Sequence, residues 1–385
     1  MLLTWHHTAW VVVMILLSGV IFSHKYFSFL DNNSKYREIN IDGLRYLLAS
    51  FVAMHHFIFS YNLLTINRWT LSVSQYPIEY FLGKFAVAIF FMLSGYLFIN
   101  LCDKEKVPWF EFYTHRFFRI APMTFIQSFA CIIIAIYITR RNIDVSNIKD
   151  VIFNLSYWFD AGIVNKRPNL FGLDNSFAIM GGVTWTLKWE WILYFSLPLV
   201  FTINYKRNST PILITILMIL YYVVSKYEYY TSVYLSMFCI GGLCYYFKKN
   251  ITPLSTKTLS YLTIIIFFVS YFLSYKQQPL TLLNSLVFGL FFLTIILGSD
   301  IFGLLKIKGI VRLGEASFSL YLLHSIFWYL LNKLMIKYNF IDDSIFYYSF
   351  SSIFWLVICF ISILSYYFIE RKFINISKNL FKTKF

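Results

Sequence analysis

A helix near the start of the chain carries two ionisable side chains on one face. In the run IDGLRYLLASFVAMHHF, residues 41–57, His56 follows Arg45 by eleven positions. At about 100° per residue this is close to three turns, roughly 16 Å along the axis. The run is apolar enough to cross a bilayer, with Arg45 near one surface and His56 well inside. An ionisable group in hydrocarbon is costly, so it usually faces a protein-lined cavity and marks function. The plainer reading is a histidine satisfied within a bundle and an arginine snorkelling to the headgroups. Imidazole titrates near neutral pH, which suits it to proton abstraction.

Four further clusters carry groups capable of chemistry. FFMLSGYLF, residues 90–98, holds Ser94 and Gly95. Small residues there let a helix or a ligand come close, and ordinary packing is the simpler account. THRFFRIAPM, residues 114–123, sets Arg116 and Arg119 three apart on one helix face. Two guanidiniums suit a diphosphate or another polyanion. The simpler account is anchoring against anionic lipid. TWTLKWEWILYFSLP, residues 184–198, puts Glu190 about one turn into an apolar run, where the span opens from the outer side. It is either a working acid or base or a carboxylate hydrated among headgroups. RLGEASFSLYLLHSIF, residues 312–327, places Ser317, Tyr321 and His324 at i, i+4 and i+7. Alone that histidine would be structural; as part of a polar stripe it reads as cavity lining.

The elements that must hold these groups are membrane helices. The chain of 385 residues is 59% hydrophobic and 13% charged, and its mean hydropathy is +0.64. A soluble chain carries about 25% charged residues, so composition excludes an ordinary soluble enzyme. The net charge of +15 is first a topology signal and not a nucleic-acid footprint, so lipid, not nucleic acid, is the expected surroundings. Cys102, Cys131, Cys239, Cys244 and Cys359 all lie in or beside apolar runs, with no spacing for a metal cluster or a disulfide framework. The N-terminal run has no basic residue before its apolar core, which points to a retained helix and not a cleaved signal.

Apolar runs predict spans near 8–23, 44–62, 80–100, 118–139, 187–204, 210–226, 231–247, 258–275, 280–298, 316–335 and 345–369. The fold class is therefore all-α, a polytopic bundle of about 10–11 transmembrane helices. The longest polar stretch, about 140–185, reads as a loop. Lys and Arg concentrate on one side: Lys25, Lys35, Arg37, Lys104, Lys106, Arg116, Arg119, Lys206, Arg207, Lys248, Lys249, Lys257, Lys306, Lys308, Arg312 and the tail from Arg371 to Lys384. Arg68, Arg140, Arg141, Lys149, Lys166 and Arg167 fall opposite. The richer side is expected to be cytoplasmic, with the C-terminus inside and the N-terminus outside.

Taken together, the five clusters resemble the membrane acyltransferase-3 family of O-acyltransferases. The likeness covers about residues 40–372 in the family's order. It rests on the Arg45–His56 helix, the FFMLSG run, Arg116, Arg119 and Pro122, the Trp185, Leu187 and Glu190 segment, SLYLLH and the closing YYFIERKF. Phe318 stands where the family often has Tyr, and Lys372 where a Pro often follows. The helix at 8–23 is additional, so the division expected is 1–40 for that helix and its linker, 41–373 for the membrane domain and 374–385 for a basic tail. An esterase-like domain, fused in some relatives, is not expected.

The resemblance implies transfer of an acyl group, most often acetyl from acetyl-CoA, to a sugar hydroxyl outside the cytoplasm. Arg45, Arg116 and Arg119 would face the donor's phosphates. His56 would be the general base, and Glu190 would orient the acceptor or share its proton. Ser94, Tyr321 and His324 are the cavity and oxyanion candidates. Acetyl-CoA is a co-substrate in this reading and no metal is called for. A flippase for a lipid-linked sugar and a membrane glycosyltransferase are the competing readings. The identity of the glycan acceptor, direct transfer against an acyl-enzyme, and association into a homo-oligomer stay open at this stage.

Overall fold

Each predicted span folds as a helix. The computed structural model describes residues 4–31, 38–139, 148–203, 210–226, 229–275 and 280–382. Lys35, Arg37, Arg140, Arg141, Lys206, Arg207 and Lys384, used above to assign sidedness, lie outside the described residues. The helices are α1 (Thr4–Ile21), α2 (Ile39–Ile66), α3 (Pro77–Phe98), α4 (Trp109–Thr139), α5 (Ile148–Ser156), α6 (Trp185–Ile203), α7 (Thr210–Lys226), α8 (Tyr229–Asn250), α9 (Thr256–Ser274), α10 (Leu282–Ile296), α11 (Lys308–Glu315), α12 (Ser317–Lys337), α13 (Ser344–Ser365) and α14 (Arg371–Lys382). The described residues are 82% helical and include no strand. This is an all-α polytopic bundle. Among the described residues, five helical stretches are long and apolar enough to cross a membrane: Ile39–Ile66, Pro77–Asp103, Trp109–Thr139, Thr256–Ser274 and Ser344–Phe381. α1, α7 and α10 supply shorter apolar helices.

Local signals set several ends. Pro77 starts α3, where its missing N–H is no loss. Ser255 caps α9 by accepting from the Thr258 N–H, and Asp343 caps α13 by accepting from Ile345 and Phe346. A π turn, Tyr366–Glu370, joins α13 to α14.

α2, α3 and α12 form the centre, with α8 against α3 and α11 against α2. Small residues allow the closest approach. A Cβ on Gly95 would meet the Phe238 carbonyl of α8, and one on Gly241 would meet the Met92 carbonyl of α3. The two helices therefore touch backbone to backbone, as small residues permit in apolar bundles. The additional helix α1 is tied in by Arg312 of α11. Its guanidinium donates to both Asp31 carboxylate oxygens, at 2.7 and 2.8 Å, and to the carbonyls of Phe22 and His24. At 4% side-chain exposure, this fork fixes the turn between α1 and α2.

Two stretches differ from the sequence reading. The polar segment after α4 is not a plain loop. It contains α5 and, beyond it, a hydrogen-bonded knot around Asp160, which accepts from the Gly162, Val164 and Asn165 N–H groups and from Arg167 at 2.8 Å. Burial alone would raise the Asp160 carboxyl. The Arg167 guanidinium and the backbone amides outweigh it and hold the group below its ordinary range.

The second difference is the depth of α6. Its expected start was the outer surface, yet Thr186 bonds Tyr321 in the first turns of α12, and Glu190 meets Ser94 near the far end of α3. The chain ahead of α6 therefore enters the bundle from the opposite end. Ser176, Ala178, Ile179 and Met180 are buried there, and Gly181 abuts Ser325 of α12. Non-helical backbone at that depth is tolerated because protein surrounds it.

The α3–α8 contact gives the first expected outcome. Gly241→Val should cost about 1–3 kcal/mol or more, because a backbone carbonyl cannot swing aside. Thermal melting of the detergent-purified protein checks this, and an unchanged midpoint would refute the close approach.

Candidate active site

A cavity of about 450 Å³ opens among α2, α3, α4, α6, α12 and α14, toward the end of the bundle that carries Lys104, Lys106, Lys248, Lys249, Lys306 and Lys308. Arg45, Arg116 and Arg119 line it together with Ser94, Glu190 and Tyr321. These residues come from five helices that are far apart in the chain.

The cations are held from behind. Asp42, one turn before Arg45, lies 3.7 Å from its guanidinium. Glu370 is fully buried, with its Oε2 3.4 Å from Arg119 Nη1. That distance suits an ion pair, although the contact is not aligned as a hydrogen bond. Ser319 donates to the other Glu370 oxygen. Neither Asp42 nor Glu370 lines the cavity, so the guanidiniums face inward. Arg119 also lies over the Phe318 ring, 5.7 Å from its centroid. The Phe318 departure thus falls within the cavity lining. Arg116 stacks on Phe98 at 4.9 Å, and its Nε is buried with no hydrogen-bond partner. A buried donor left open in this way favours an incoming acceptor atom.

Glu190 is the one carboxylate in the lining. Tyr194 donates to its Oε2 at 3.0 Å and Ser94 approaches Oε1 at 3.4 Å. His55 lies against Gly83 and the Glu79 carbonyl of the antiparallel α3. Ser94 is eleven residues on from Gly83, roughly 16 Å nearer the basic end. Glu190 therefore sits level with the arginines, and not near the outer surface where its span was expected to open. Its early turn of α6 lies deep because the preceding segment has already entered the bundle.

His56 and His324 stand outside the cavity lining and meet each other. His56 Nδ1 is 3.1 Å from His324 Nε2, with rings stacked at 5.2 Å. His324 Nδ1 is 3.0 Å from the Leu320 carbonyl. A carbonyl only accepts, so His324 carries its proton on Nδ1 and offers a lone pair at Nε2. His56 must then donate from Nδ1, which leaves its Nε2 lone pair free. The pair fixes the His56 tautomer with its proton on Nδ1 and its lone pair on Nε2. His56 is half-buried and stacks beneath Trp69, at 6.0 Å and 19°.

Tyr321 stands between the cavity and the histidine pair. It lines the cavity, and its ring centroid is 6.2 Å from that of His324. Its hydroxyl donates to the Val183 carbonyl at 2.9 Å and accepts from Thr186 at 2.8 Å.

A family model described as an acyltransferase domain matches residues 38–370. The chain belongs to the acyltransferase-3 family. None of the curated proteins and none of the solved structures matches it. Membership sets aside the flippase and glycosyltransferase readings: the protein is a membrane acyltransferase.

Several residues of this acyltransferase escaped the sequence reading. Tyr194 lies four positions after Glu190, so helical spacing could have found it. Thr186 had no signal, because its partner Tyr321 is 135 positions away. Glu370 was visible only as part of YYFIERKF, and the π turn that holds it behind Arg119 is invisible to period counting.

The histidine pair yields a direct test. His324→Leu removes the acceptor for the His56 Nδ1 proton and frees the ring to take either tautomer. Acyl transfer should fall by about 10²–10⁴ with the fold retained. Near-normal turnover in a folded variant would show that the pairing does not orient the base.

Proposed function

We propose that this acyltransferase moves an acetyl group from acetyl-CoA to a hydroxyl of an extracytoplasmic glycan, with His56 as the general base. The carrying observation is the inward-facing set Arg45, Arg116 and Arg119, with its open Arg116 Nε. A basic cavity of this kind suits a donor that is a polyanion at one end and a slender thioester at the other. The Lys and Arg excess at its mouth supports a cytoplasmic donor side, a cytoplasmic C-terminus and residence in the plasma membrane.

The chemistry follows from the free lone pair on His56. As the acceptor oxygen attacks the thioester carbonyl, Nε2 takes the hydroxyl proton. The carbonyl π pair moves to oxygen, and the Tyr321 hydroxyl would meet it by turning its proton from the Val183 carbonyl to the developing oxyanion. Collapse of this tetrahedral species expels the CoA thiolate, and the histidine proton returns to sulfur. An ester and CoA thiol result. Direct transfer is favoured over an acyl-enzyme because no described cysteine lines the cavity and no serine beside it is paired with a histidine base except Ser377, which meets His115 at the mouth. Glu190 belongs with the donor end in this reading: fixed by Tyr194 and Ser94, it sets the charge near the arginines.

Sidedness decides the acceptor half of the proposal. In oriented vesicles, acetyl-CoA given only to the basic face should yield base-labile ester on glycan confined to the other face. His56→Ala should abolish it, whereas His55→Ala should retain activity. Ester formed only on the donor face would overturn the cross-membrane reading while leaving acyl transfer in place.

The donor half is tested by kinetics. Arg116→Ala and Arg119→Ala should each raise KM for acetyl-CoA about ten- to hundredfold, the worth of a charge-assisted contact. Lys at either position should restore part of it, since a point charge lacks the guanidinium fork. An unchanged KM in both Ala variants would return these residues to lipid anchoring.

A further inference from the structure

One wall of the arginine cavity lies beyond the family match. The matched residues end at 370, and α14 begins at Arg371. Ile374, Ser377 and Lys378 of α14 nevertheless line the cavity. Their spacing of i, i+3 and i+4 puts them on one helix face. The helix runs antiparallel to the start of α4. Phe373 packs against Phe118 at 6.2 Å, while Phe381 packs against Phe110 at 6.1 Å and His115 at 5.7 Å. His115 Nδ1 lies 3.0 Å from Ser377 Oγ. Moving along α14 is therefore moving outward, and the cations are layered: Arg119 deepest, Arg116 next, and Lys378 at the mouth level with His115.

Lys378 is exposed, and no ion pair or hydrogen bond joins it to another described residue. His115 is already engaged, with Nε2 3.2 Å from Glu111. The other α14 lysine with a described side chain, Lys372, is not in the lining and lies over the Phe368 ring at 5.8 Å. The helix thus turns Lys378 into the cavity, while Lys372 and Arg371, whose guanidinium donates to the Phe29 carbonyl, lie outside the lining.

This layering matches the order of charge along a CoA thioester, and the inference rests on that donor reading. The diphosphate adjoins the pantetheine arm, and the ribose 3′-phosphate lies farthest from the thioester. With the thioester innermost, the diphosphate comes level with Arg116 and Arg119 and the 3′-phosphate with the mouth. We propose that Lys378 of α14 binds the ribose 3′-phosphate of the donor, so that a helix outside the family domain selects CoA over its dephosphorylated form. A lysine serves as a point charge for such a phosphate.

The test compares acetyl-CoA with acetyl-dephospho-CoA, using the full chain in phosphatidylcholine vesicles with and without phosphatidylglycerol. The unaltered protein should show a KM about tenfold lower for acetyl-CoA. Lys378→Gln should erase that preference by raising KM for acetyl-CoA alone. Lys378→Arg should keep most of it, and Lys372→Gln should leave both KM values as they were. Equal KM values in the unaltered protein would overturn the proposal. So would a Lys378→Gln effect that is the same for both donors or confined to anionic vesicles, which would mark a lipid headgroup contact instead. If neither donor supports transfer, the donor reading itself fails. Binding then still decides the site: adenosine 3′,5′-bisphosphate should bind the purified protein about tenfold tighter than adenosine 5′-monophosphate, and Lys378→Gln should remove the difference. Equal binding of the two nucleotides would sink it.

Discussion

Three guanidiniums turned into one cavity are the constraint around which the bundle is arranged. Taking a charge out of water is costly unless it is paired and hydrogen-bonded. The fold meets this cost from outside the cavity wall. Asp42 stands one turn before Arg45, and Glu370 is aimed at Arg119 by a π turn at the end of α13. Carboxylates behind Arg45 and Arg119, and the Phe98 ring against Arg116, hold the guanidiniums in place while leaving their inner faces open. A carboxylate in front of each would neutralise the site. Glu190 alone faces inward, and two hydroxyls already hold it.

The same demand explains the unusual course of the chain before α6. A helix entering from the outer surface would put Glu190 near the wrong face. Instead the segment through Ser176–Met180 fills the outer part of the bundle with buried backbone, and α6 starts at the depth of Tyr321. The Asp160–Arg167 knot anchors the outer part of this segment. A loop that descends into a membrane bundle must satisfy its own polar groups, which accounts for the dense hydrogen bonding around Asp160.

Much of this was legible in the chain, and the legible part shares a physical character. Helix positions came from runs of apolar residues, because burial in lipid demands them whatever the neighbours are. Arg116 and Arg119 could be nominated because two guanidiniums three apart share a helix face, and His56 and Glu190 because an ionisable group in an apolar run is expensive. What stayed hidden depends on contacts between distant segments. The depth of Glu190 follows from how far the preceding chain descends, which no local period encodes. The His56–His324 bond joins α2 to α12 across 268 positions, although each histidine was a candidate alone. The role of Phe318 as a platform for Arg119 was likewise closed to reading, since its partner lies on α4.

The geometry also sets two groups of side chains apart. Arg45, Arg116, Arg119 and Glu190 line one cavity, and the His56–His324 pair lies beyond its lining, next to Trp69. Tyr321, bonded to Thr186 and Val183, stands on the boundary. A thioester in contact with both a basic nitrogen and open water would be hydrolysed as readily as transferred. In the proposed reading, a thioester held in the arginine cavity would meet His56 only by extending past Tyr321, and His56 would serve an acceptor hydroxyl that reaches the histidine pair from the other side. The separation of cavity and histidine pair would then direct the acyl group together with the base.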